Sequence, residues 1–178
     1  MSHWNNTNDV VVNELWHKTK GLDNYYKSIF QPFIVSASVL VESLMEPNSQ
    51  SHDILVIDIN EIKLGQFRKL YYVLISYFVV LLYFTNPFLK DDLKNALFKV
   101  TEDSDFVKNF LKDLDKMIVN SRREINMGTT GGKLWNKVVD TIGFGSKNNP
   151  SQLYYFVMLS GEAYKEALVN IKKVNDIL

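Results

Sequence analysis

Residues 128–133 come nearest, by type and spacing, to a chemical site in this chain: Gly128, Thr129, Thr130, Gly131, Gly132 and Lys133. Backbone amides of a glycine-rich segment that opens a helix can cradle a phosphate, helped by the positive end of the helix. Arg122 and Arg123 lie just upstream and would add charge. The spacing is one residue short of the P-loop of nucleoside triphosphatases. Leu134 follows the lysine where a Ser or Thr would reach magnesium, and a helical pattern precedes the run instead of a strand. The run is therefore read as a helix–helix loop, with anion binding through Arg122, Arg123, Gly128, Gly131, Gly132 and Lys133 as an alternative.

Three further constellations carry less. Glu14 and His17, three apart, share a helix face in the spacing used by di-iron bundles. Neither His3 nor His52 has a glutamate three residues before it, so the second half of such a site is missing. His52-Asp53 is the dipeptide of one class of all-helical metal phosphohydrolases, but its flanks read as a loop running into an apolar segment, and two residues carry no resemblance. Lys108, Lys112 and Lys116 form an i, i+4 stripe that acidic lipid or nucleic acid would favour. Asp105, Asp113 and Asp115 share that helix, no aromatics interleave with the lysines, and a solvated face is the expectation. Trp4, Trp16 and Trp135 are read as packing residues. No zinc-protease motif, nucleophile elbow or dinucleotide fingerprint occurs. The sequence thus predicts no catalytic residue, no metal and no cofactor.

Composition narrows the class. The chain has 178 residues, enough for one domain with a sizeable core, and 46% of them are hydrophobic against 22% charged. The formal net charge is zero, so no global field recruits nucleic acid. Cysteine is absent, which rules out disulfides and thiolate chemistry and fits a reducing compartment. The first residues show neither the basic nor the apolar part of a signal peptide.

The elements that would position these residues are helical throughout. Apolar residues recur at helical spacing over 9–20, 23–45, 87–100, 104–126, 133–142 and 151–176. Asn8 or Asp9 is placed as the first N-cap, and Pro32 falls inside the second helix, where it either kinks or divides it. Residues 46–53, 127–132 and 143–150 read as loops. Ile54 to Ile57 is extended by composition; Asp58 and Glu61 have capping-box spacing, and a helix is predicted to begin near Asn60. Residues 70–89 contain no charge and match the roughly 20 apolar residues that cross a bilayer. Thr85, Asn86 and Pro87 interrupt that stretch as a helix stop followed by a new start, with Asn86 as N-cap.

The sequence therefore predicts an all-α, single-domain antiparallel bundle of six or seven helices around a central apolar helix, 66–84. Its expected work is binding a protein partner, self-association included, with Tyr154, Tyr155 and Phe156 as a surface patch. The expected compartment is the cytoplasm. The alternatives are a membrane-associated protein spanning through 70–89, and a phosphate- or nucleotide-binding protein using 128–133.

Overall fold

A computed structural model describes residues 3–45, 62–120, 127–142 and 150–174. Among these, seven α-helices and one short 3-10 turn account for the regular structure: α1 His3–Thr19, α2 Asn24–Met45, α3 Leu64–Thr85, the turn Pro87–Leu89, α4 Lys90–Val100, α5 Asp105–Asn120, α6 Met127–Ile142 and α7 Pro150–Val174. The all-α bundle expected from the periodicity is what forms. The predicted loop 46–53, residues 143–149 of the predicted loop 143–150, the extended stretch 54–57 with its capping pair, and the His52-Asp53 pair lie outside the described residues, and Pro150 opens α7.

The charge-free helix is the hub. Every residue of α3 from Leu70 to Tyr83 is buried, because α1, α2, α4, α5 and α6 all pack on it. A helix apolar on every side needs neighbours on every side. Its N-terminus is fixed by the Lys63 N–H, which donates to Gln66 Oε1 at 2.8 Å. Ile62 and Lys63 precede the helix, so it starts at Leu64 and not near Asn60.

A tertiary bond moves one predicted cap. Asn8 lies inside α1, buried, and its Oδ1 accepts the Tyr71 hydroxyl of α3 at 2.5 Å. A buried cross-helix bond outweighs the local preference of Asn for a cap, and α1 begins at His3. Asn86 closes α3 and, as predicted, is also the N-cap of the next element, its carbonyl accepting the Leu89 N–H at 3.0 Å. Its Nδ2 donates to the Leu82 carbonyl at 3.1 Å and its backbone N–H to the same carbonyl at 3.0 Å. Pro87 then starts the 3-10 turn, where its missing N–H costs nothing.

Pro32 neither ends nor divides α2, which runs unbroken through it. Between α4 and α5 the chain turns through Glu102 and Asp103, both in the left-handed region at φ 53° and 54°. The Asp103 N–H reaches back to the Phe98 carbonyl at 2.8 Å and so satisfies an end group of α4.

The largest correction is at the glycine-rich run. The expected loop 127–132 is helical: α6 begins at Met127. Leu134, Trp135 and Val138 are buried between α3 and α7, with the Trp135 and Phe156 rings 5.3 Å apart. Gly132 faces Leu153 of α7 closely enough that a Cβ there would lie 3.7 Å from Leu153 Cδ1. That packing offsets the poor helix propensity of three glycines, which a propensity reading overweights.

α7 returns along α2 and also packs on α6. Val39, Leu40 and Ser43 lie beside Leu159 to Glu166, whereas Asn24 to Val35 lie beside Asn170 and Val174, so α2 and α7 run antiparallel. Tyr164 joins them to the hub, its ring 6.3 Å from Phe33 and 5.9 Å from Phe78.

Candidate functional site

Among the described residues, those singled out for chemistry do not converge. With α6 helical from Met127, the amides of Gly131, Gly132 and Lys133 fall within the helix, where carbonyls four residues back take them. Residues 128–133 are therefore helical and not a loop, with the Gly128 amide in the first turn of α6. Lys133 is exposed, and Arg122 and Arg123 lie outside the described residues. Glu14 is committed elsewhere: its two oxygens accept from Arg68 Nε at 3.0 Å and Nη2 at 3.1 Å. That hydrogen-bonded guanidinium holds the Glu14 carboxyl below its ordinary pKa against a smaller opposing effect of burial. His17 points to solvent, and no metal-binding group of His, Asp and Glu forms among the described residues.

The lysine stripe is divided as well. Lys108 sits 5.7 Å over the Phe98 ring and 3.6 Å from Asp103, whereas Lys112 and Lys116 are exposed. Asp115 is drawn inward. It accepts the Tyr83 hydroxyl at 2.6 Å and Lys94 Nζ at 2.7 Å, a joint that ties α3, α4 and α5 together. Burial pushes the Asp115 carboxyl up, but the Lys94 ammonium and the Tyr83 hydroxyl outweigh it and the net shift is downward.

The surface patch Tyr154, Tyr155 and Phe156 is split by helix geometry. Successive helical residues point about 100° apart. Tyr154 is 73% exposed and Tyr155 half-buried, while Phe156 is buried against Trp135.

The structure offers instead a groove that the sequence reading did not find. A cavity of about 430 Å³ opens where the end of α1 meets α2 and α7, with Trp16, Pro32, Val35 and Val174 as its apolar lining and Lys27, Gln31 and Asn170 among its polar groups. Farther along the same seam, Val39, Ser43, Leu159, Ala163 and Glu166 line a second hollow of about 250 Å³. Both volumes suit a side chain or a small ligand more than a backbone element.

Local chemistry builds the mouth. Gln31 Nε2 donates to Thr19 Oγ1 at 3.1 Å, and that hydroxyl donates to the Trp16 carbonyl at 2.7 Å. The pair closes the end of α1 and sets Trp16 at the rim, 38% exposed. Of the tryptophans read as packing residues, Trp135 is buried and Trp16 is half outside. Pro32 brings no N–H to the carbonyl one turn back and lines the groove with its ring. Val35 and Val39 continue the stripe, 46% and 56% exposed.

The signal for this site was present but distributed. Val35 and Val39 fall between the core positions of α2, at i and i+4, so they form a second, outward apolar line. Nothing in a single sequence says that α7 lies beside that line. No protein-family model matches the chain, and no curated protein or solved structure matches it.

Proposed function

We propose that this chain is a helical protein-interaction module without catalytic activity, and that its contact face is the seam of α1, α2 and α7. The observation that carries the reading is the line of exposed apolar side chains along that seam: Trp16, Val35, Val39 and Val174. Each alone is ordinary surface; in one line beside two hollows they make the kind of apolar centre with a polar rim that protein contacts use. Lys27, Gln31, Glu162 and Glu166 supply the rim. The cytoplasm is the compartment this reading expects, from the absence of cysteine.

A photo-crosslinking side chain at Val39 tests it in the expressing cell, with the same group at Lys112 on α5 as control. The reading expects a discrete crosslinked species from position 39 and none from position 112. Equal, diffuse crosslinking at both positions sinks it.

A membrane-associated reading rests on α2 and α3, which are long and apolar enough to cross a bilayer. α3 is covered by protein in all directions, and the outer surfaces of the helices include Lys112, Asp113, Lys165 and Glu166. Charges at that depth are costly in lipid. Recovery in the soluble fraction after lysis without detergent is the expected result, and retention in the pellet through salt and alkaline washes would favour the bilayer.

A further inference from the structure

The groove where α1 meets α2 and α7 is graded along α2. Asn24, Lys27, Ser28, Gln31, Pro32 and Val35 recur every three or four residues and so share one face of that helix. From Asn24 to Val35 this face passes from an amide and a cation to a proline ring and an aliphatic side chain. Trp16 of α1 and Val174 of α7 wall it. Lys27 is half-buried and forms no ion pair among the described residues. No carboxylate among them lines the groove. The cationic end lies at the first turns of α2, where the helix dipole is positive. Lys172 and Lys173 close α7 near that end, against Asp23 just before α2.

A cation beside apolar surface with no counter-ion of its own selects a ligand by charge. We infer that the groove binds a small amphipathic acid, an aliphatic chain that carries one carboxylate. The carboxylate accepts from Lys27 Nζ, and the chain lies over Pro32 and Val35 against the Trp16 ring. From Lys27 to Val35 the helix rises about 12 Å, which a straight chain of medium length spans. The cavity of about 430 Å³ falls within the range of small-molecule sites. Gln31 does not compete for the head group, because its Nε2 is held by Thr19. The site occupies one end of the contact face proposed above and does not depend on that reading.

The test is isothermal titration calorimetry of the full chain with decanoate and with decylammonium, which share a tail and differ in the sign of the head. Saturable binding of decanoate is expected, with decylammonium at least about tenfold weaker. Lys27→Glu reverses that order. Lys27→Met lowers the affinity for decanoate about tenfold, since a charge-assisted bond is lost. Val35→Glu places a carboxylate under the tail and abolishes binding. Trp16 reports the position: decanoate changes the tryptophan emission of the unaltered chain and leaves that of Trp16→Phe unchanged. Lys27 and Val35 lie outside the core, and unchanged melting curves confirm that their variants fold.

Equal affinity for the two heads overturns the inference, and so does decanoate binding that survives Lys27→Glu unaltered or an absence of saturable binding. A crosslink from position 39 in a chain that does not take up decanoate removes the acid site and leaves the contact reading standing. Decanoate binding without that crosslink does the reverse.

Discussion

Tyr71 and Tyr77 are both buried on α3 and differ in one bond. The Tyr71 hydroxyl donates to Asn8, whereas the Tyr77 hydroxyl and the neighbouring Ser76 hydroxyl have no partner among the described residues. A buried polar group without a partner carries its full desolvation cost. Tyr77→Phe is therefore expected to stabilise the fold by about 1 kcal/mol, and Tyr71→Phe, which strands Asn8, to destabilise it by about 1–2 kcal/mol. Chemical denaturation of the two variants checks this, and equal effects of one sign would contradict it. Asp115 gives a pH dependence. Its folded pKa is lowered by Lys94 and Tyr83, so the stability it contributes is present above the ordinary aspartate value of about 3.9 and is lost as pH falls through the folded value. The melting temperature of the protein should exceed that of Asp115→Asn at neutral pH, and the gap should close in acid. A gap constant with pH would mean that the charge on Asp115 does not contribute. None of these pairings was legible in the sequence, since each joins residues from different helices.

Elements were more legible than sites, and the errors have one cause. α3 was readable because an uninterrupted apolar run has few places to go; α7 was readable from its stripe. The glycine-rich run was misread because propensity counts Gly128, Gly131 and Gly132 against a helix, while α6 is held by the packing of Leu134, Trp135 and Val138. Asn8 was misassigned for a related reason: a side chain that can cap locally bonds across to another helix when the tertiary partner is better placed. The glycine misreading yields a prediction. At Gly132 a methyl group would meet Leu153 at ordinary contact distance, so Gly132→Ala should stabilise the protein by about 0.5–1 kcal/mol through helix propensity. A loop with left-handed glycine would give the opposite sign. Thermal unfolding of this one variant separates the two.

At the scale of the whole molecule, the aromatic core ties the fold to alkaline pH. Burial, aided by Asp92, pushes the Tyr26 hydroxyl up to about 12, and burial alone takes Tyr77 to about 12; Tyr71, Tyr83 and Tyr164 are raised too. Phenols raised in the folded state contribute stability that is complete below the unfolded value of about 10 and is lost as pH climbs through the folded values. Alkali should unfold the bundle cooperatively, with phenolate absorbance and helical circular dichroism changing in the same pH window. Ionisation of all the tyrosines with the helical signal intact would contradict the burial. The candidate face was the least legible feature, because it exists only where α7 lies beside α2, elements far apart in the chain. That separation has a consequence in time. About a hundred residues lie between the end of α2 and the start of α7, and a ribosome adding about 5–20 residues per second needs on the order of 5–20 s to make them. For that interval Phe33, which meets Tyr164, and Leu40, beside Leu159 and Ala163, wait on a nascent chain for the helix that completes their burial. Slower translation of α7 is then expected to lengthen the exposure of that surface to aggregation and proteolysis without altering a single residue.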